Sequence, residues 1–103
     1  MQAWFDACAE QALVEGEFLS LVIDDVMVAL YRVGDAYYAI EDMCTHDGGE
    51  LAGGPREGFE VECIRHGARF DLRTGACTVG PAYVPTRSLR TQIRGGRVWI
   101  ERP

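Results

Sequence analysis

The chain contains two histidines and four cysteines. Both histidines and two of the cysteines fall in two short stretches, Cys44-Thr45-His46-Asp47-Gly48-Gly49 and Cys63-Ile64-Arg65-His66-Gly67. Cysteine precedes histidine each time, as C-x-H and then C-x-x-H, with sixteen residues between His46 and Cys63. Two thiolates and two imidazoles suit zinc or iron–sulfur, and they match poorly with calcium or magnesium, which take oxygen ligands. A structural zinc site of this composition usually draws its cysteines from one stretch and its histidines from another. Here each stretch supplies one of each. The interleaving makes sense if two adjacent metals share bridging sulfides, with Cys44 and Cys63 on one and His46 and His66 on its neighbour.

The rest of the chain must hold these two loops, and it reads as strand and turn almost throughout. Phe18-Leu19-Ser20-Leu21-Val22-Ile23 forms a strand closed by Asp24-Asp25. Val26 to Val33 follows, then a turn at Gly34-Asp35 and a third strand at Ala36 to Ile40, a meander rich in β-branched and aromatic residues. Ser88 to Arg94 alternates apolar and polar residues, and Gly95-Gly96 turns it into Arg97 to Glu101. Ala7 to Val14 is the one place where the pattern allows a short helical turn. There are no internal repeats, so the expectation is an all-β domain of many short strands. The middle differs: Asp42 to Gly80 carries eight of the twelve glycines, and its strands are brief. A glycine-rich segment of that length is economically explained as a frame for a bound metal centre.

A length of 103 residues fits one domain, and 48% apolar residues are enough to fill a core. No apolar run approaches the roughly 18 residues that span a bilayer. The start lacks the basic region and apolar stretch of a secretory signal, which predicts a cytoplasmic protein without a membrane partner. A net charge of −6 argues against nucleic acid, whose phosphates call for a basic face. The charge is uneven along the chain. Residues 1–62 hold fourteen acids and two arginines, whereas residues 63–103 hold eight arginines and two acids. Cys8 and Cys77 stand apart from the clusters and are expected as small buried hydrophobes. Trp4, Trp99, Tyr31 and Tyr37 are expected in the core. Asp47 and Glu50 flank the first histidine, as partner contacts, as charges that damp the potential, or as part of a plain solvated loop.

The stretches "CTHDGG" and "CIRHGARFDLRTGACTVGPA" resemble the two cluster loops and the proline loop of Rieske-type [2Fe–2S] ferredoxins, and the likeness covers essentially the whole chain. The resemblance implies the Rieske iron–sulfur fold: a single domain over 1–103, with a cluster-binding subdomain at about 42–80 inserted into an antiparallel β base made of 1–41 and 81–103. It implies one [2Fe–2S] cluster held by Cys44, His46, Cys63 and His66. It also implies a lid over one side of the cluster at Gly80-Pro81-Ala82-Tyr83-Val84-Pro85. One position departs from the family, since Ile64 stands where proline is common, and a slightly less rigid loop is expected.

High-potential Rieske proteins of respiratory complexes carry a disulfide between these loops and hydroxyl donors beside the cluster. Here the corresponding positions hold Gly48, Gly49, Arg65 and Ala68, with Phe70 in place of a tyrosine. A low midpoint is therefore expected, on the order of −150 mV, at the bottom of the Rieske range. The resemblance names the ferredoxin component of aromatic-ring-hydroxylating dioxygenase systems, a monomeric electron carrier between a flavin-dependent reductase and a terminal oxygenase. With both histidines used as ligands, no 2-His-1-carboxylate oxygenase site remains, and no glycine fingerprint for a nucleotide is present, so no catalytic site is expected. Two other readings are the small Rieske subunit of another oxidoreductase, such as nitrite reductase, and a zinc-binding structural module.

Overall fold

The strand Val26–Val33 (β3) opens Val-Met-Val-Ala-Leu-Tyr, with no polar alternation before Arg32. Such a run belongs in a strand with two dry faces. That is where it lies. Val28 and Leu30 face one buried cluster, and Ala29 and Tyr31 face another. The computed structural model describes residues 3–45, 47–65, 67–80 and 84–103. Among these it is built of antiparallel strands in three sheets, with no helix.

The middle sheet has the order β2-β3-β4-β9, with β2 at Phe18–Ile23, β4 at Ala36–Glu41 and β9 at Ser88–Leu89. On one side lies the sheet β1-β11-β10, made of Trp4–Ala9, Arg97–Glu101 and Thr91–Arg94. Between these two sheets pack Cys8, Ile23, Val28, Leu30, Tyr37, Ala39, Leu89, Val98 and Ile100. On the other side lies β5-β6-β7-β8, four short strands at Arg56–Glu57, Glu60–Glu62, Arg69–Asp71 and Cys77–Val79. Its core joins Val61, Phe70 and Leu72 to Ala29, Tyr31 and Ile40 of the middle sheet, and it includes both Cys44 and Cys63. Along β4 the side chains alternate between the two cores, Tyr37 and Ala39 to one, Tyr38 and Ile40 to the other. Each fully buried large aliphatic or aromatic side chain stabilises the fold by about 1.5–3 kcal/mol.

Turn chemistry follows the sequence. Asp24 (φ 51°) and Asp25 (φ 66°) both take the left-handed conformation that a two-residue hairpin needs between β2 and β3. Gly95 and Gly96 do the same between β10 and β11. The helical turn expected over Ala7 to Val14 is not found. Ala7 to Ala9 belong to β1, which pairs with β11, and only a turn closed by Ala12 N–H donating to the Ala9 carbonyl follows (3.0 Å). Pairing with β11 overrides the mild helix preference of this alanine-rich stretch.

Candidate metal centre

The first loop leaves the end of β4. Its entry is fixed by Asp42, a buried carboxylate whose Oδ1 accepts the amides of Leu51 (2.7 Å) and Ala52 (2.8 Å), while its own amide donates to the Met27 carbonyl (2.8 Å). Asp42 thus ties the two ends of the loop together. Inside it, Cys44 N–H donates to the Gly49 carbonyl (2.7 Å), and Gly48 N–H donates to the Cys44 carbonyl (2.6 Å). The second loop connects β6 to β7 and repeats this geometry. Cys63 N–H donates to the Ala68 carbonyl (2.7 Å), and Gly67 N–H donates to the Cys63 carbonyl (2.8 Å). Gly48 (φ 77°) and Gly67 (φ 78°) occupy the same left-handed position four residues after each cysteine. The two loops are one turn built twice.

Both thiols are fully buried. Their sulfurs, with a carboxylate oxygen of Asp47, all lie within 4.8 Å of one another. Two thiolates on one tetrahedral metal, each at about 2.3 Å, stand roughly 3.8 Å apart. The pair thus has the chemistry of two ligands on a single metal at a separation that admits them, and neither cysteine is in a disulfide. His46 and His66 lie outside the described residues, as do Pro81, Ala82 and Tyr83 of the expected lid.

The end of the expected lid and the residues after it are anchored at three points. The Thr45 hydroxyl of the first loop donates to the Val84 carbonyl. The Thr86 hydroxyl donates to the Glu41 carbonyl at the end of β4 (3.0 Å), and its amide donates to the Gly75 carbonyl in the turn between β7 and β8 (2.9 Å). Ile64 on the second loop and Val84 on the third are both largely exposed.

Asp47 and Arg65 join the first two loops. Arg65 donates to both carboxylate oxygens, Nε to Oδ2 at 2.6 Å and Nη2 to Oδ1 at 3.1 Å, and Gly49 N–H also donates to Oδ1 (2.9 Å). The carboxylate holds the guanidinium more firmly protonated than usual, and the charges of Cys63 and Cys44 add to the effect. Asp47 is therefore no plain solvated side chain, whereas Glu50 is exposed. Neither the brace from Asp42 nor the tie between Asp47 and Arg65 is apparent from sequence spacing alone. A signal existed for the second: the opposite charges sit one residue after the first histidine and one residue before the second.

The remaining candidates resolve simply. Cys8 is buried between the sheets β1-β11-β10 and β2-β3-β4-β9, and burial pushes its thiol up despite Arg97 nearby. Cys77 lies in β8, half-buried, with its thiol directed at the Val79 carbonyl (3.3 Å). Tyr31 and Tyr37 are core residues as expected. Burial, reinforced by the Asp42 charge, pushes the Tyr31 hydroxyl up to about 12. Trp4 and Trp99 are only half-buried, each under an arginine.

The family model for the Rieske [2Fe–2S] domain matches residues 3–90. The chain belongs to the Rieske [2Fe–2S] family. Its cofactor is one Rieske-type cluster, and the paired buried thiols fit that group. The Rieske chain is 34% identical over 100 residues to the ferredoxin component of the naphthalene 1,2-dioxygenase system of Pseudomonas aeruginosa, covering 97% of this chain and 96% of that one. The ferredoxin of carbazole 1,9a-dioxygenase from Nocardioides aromaticivorans IC177 has the same fold, with a TM-score of 0.92 at 29% identity over 98% of this chain and 99% of that one. A chain in the complex of reduced oxygenase and oxidised ferredoxin of carbazole 1,9a-dioxygenase superposes with a TM-score of 0.90 at 32% identity, over 98% of this Rieske chain and 94% of that chain. Among the described residues, no helix is long and apolar enough to cross a membrane.

Proposed function

We propose that this chain is a one-electron carrier, taking electrons from an NAD(P)H-dependent flavin reductase and delivering them to a terminal ring-hydroxylating oxygenase. One observation carries the reading. Two identically built loops set two buried thiols together, in a chain that matches dioxygenase ferredoxin components almost end to end. In this reading Cys44 and Cys63 hold one iron and His46 and His66 hold the other. A [2Fe–2S] centre bound there takes up and releases one electron at a time.

The chain's own work is to hold those donors and to set their surroundings. Asp42 fixes the ends of the first loop, and β6 and β7 fix those of the second. Ala29, Ile40, Ala68 and Phe70 keep water away from the sulfurs from behind. Gly48, Gly49, Arg65 and Ala68 bring no thiol or hydroxyl to the centre, and the Thr45 hydroxyl is turned to the Val84 carbonyl. This supports a midpoint at the low end of the Rieske range, on the order of −150 mV. Both histidines being ligands, oxygen chemistry falls to the partner and the chain has no catalytic site of its own. Four cysteines without a disulfide suit a reducing, cytoplasmic compartment.

The test is direct. The purified protein is expected to bind two irons and two labile sulfides, and Cys44→Ser is expected to lose them. Reduced by a flavin reductase with NADH, it should then support product formation by a terminal oxygenase in proportion to the electrons passed. A colourless zinc protein, a midpoint well above zero, or a reduced cluster that no terminal oxygenase reoxidises would each overturn the reading.

A further inference from the structure

The tie between Asp47 and Arg65 has a third member. Gly49 has no left-handed φ, so its backbone conformation does not call for glycine. A Cβ at Gly49 would nevertheless lie 2.5 Å from both Cζ and Nη2 of Arg65 and 2.9 Å from Nε. The guanidinium occupies the space a side chain at Gly49 would need, so any side chain there would push it away. The same residue fixes the acceptor, because Gly49 N–H holds Asp47 Oδ1 at 2.9 Å. The carboxylate is thus positioned before Arg65 reaches it, and only 21% of its side chain is exposed. An ordinary surface ion pair contributes little, since two flexible side chains must be ordered to make it. A bidentate pair on a pre-fixed carboxylate avoids most of that cost and is directional.

The geometry points to Asp47, Gly49 and Arg65 as a latch that closes the two cluster loops over the metal centre and sets how readily the cluster is lost. Arg65 comes from one loop, and Asp47 and Gly49 from the other. Breaking the latch frees the loops to part, which is the motion a cluster needs in order to leave. The three are positioning residues, not ligands. The inference rests on the reading of Cys44 and Cys63 as cluster ligands.

The experiment follows cluster loss from the holoprotein by the decay of visible absorbance in the presence of a chelator, with the midpoint measured alongside. Asp47→Asn and Arg65→Gln are each expected to speed the loss about tenfold, as for one charge-assisted hydrogen bond. The double variant should be no faster than either single one, because both break the same contact. Their midpoints should move in opposite directions. Removing the negative charge of Asp47 raises the midpoint, and removing the positive charge of Arg65 lowers it, a split that mere loosening of a loop would not produce. Gly49→Ala should speed the loss in the parent protein and have no effect beside Arg65→Ala, where there is no guanidinium to displace. Loss rates within twofold of the parent, effects that multiply in the double variant, or an equal Gly49→Ala effect in both backgrounds would overturn the latch. A parent protein without a two-iron cluster would instead overturn the reading on which the latch rests, and the latch with it.

Discussion

Asp42 sits two residues before Cys44 and takes no metal, yet the first loop depends on it. Its carboxylate is the acceptor for two backbone amides, those of Leu51 and Ala52, on the returning limb. Asp42→Ala leaves both amides without that acceptor and is expected to cost about 2–4 kcal/mol, read as a lower urea midpoint. Asp42→Asn keeps an acceptor oxygen in place and should lose less than half as much; equal losses would show that the brace does not matter. At this level the sequence was informative about donors and silent about braces. Residue type alone pointed to Cys44 and Cys63, because soft donors interleaved with histidines are rare by accident. Nothing in the types around Asp42 says what it faces, since its partners lie nine and ten residues away; for Arg65 the one hint was the opposite charge of Asp47 beside the other histidine.

The strands that could be read from the sequence are those with one wet face or a diagnostic turn. The meander β2-β3-β4 was marked by its Asp24-Asp25 and Gly34-Asp35 turns, and β10-β11 by Gly95-Gly96. β1 escaped notice because a bulge between Asp6 and Cys8 interrupts its alternation against β11. The expected strand at Ser88 to Arg94 is divided at Arg90, with β9 joining the middle sheet and β10 the outer one. The turn between β7 and β8 makes a prediction of its own. Asp71 accepts from the Arg73 amide (2.8 Å) and from its guanidinium (3.1 and 2.9 Å), and these contacts hold its carboxyl below the ordinary 3.8. The folded state therefore favours the charged form. Its contribution is complete above the unfolded value, near 4, and is lost as pH falls through the lower folded value. Asp71→Asn should lower Tm by about 4–8 °C at pH 7 if the contacts are worth ~1 kcal/mol. The gap from the parent should close progressively below pH ~4. Melting curves that stay parallel down to acid would refute it.

Across the whole molecule the lopsided charge of the sequence is largely folded away. Arg97 meets Asp6, Arg102 meets Asp24, Arg65 meets Asp47, and Arg69 lies among Glu57, Glu60 and Glu62. Arginines of the second half thus neutralise acids of the first. What remains is a net charge of −6. Electron transfer from the reduced protein to a cationic cobalt(III) complex should accordingly slow several-fold as ionic strength rises from about 0.01 to 0.15 M, and transfer to ferricyanide should speed up. Equal salt responses for the two oxidants would mean that the local charge at the tip, not the net charge, governs the encounter.

The strand buried on both faces also limits how such a protein can adapt. Val28 and Ala29 are neighbours in the chain, yet each fills a different core. A new side chain behind the thiols, at Ala29 or Ile40, would press on a wall whose far side is already packed against Val98 and Ile100. Refitting one layer therefore means refitting the other. The loops carry no such obligation. Glu50 and Ile64, both exposed, can change without disturbing either core or the tie between Asp47 and Arg65, so a lineage seeking another partner has its freedom in the loops, while the shared wall stays as it is.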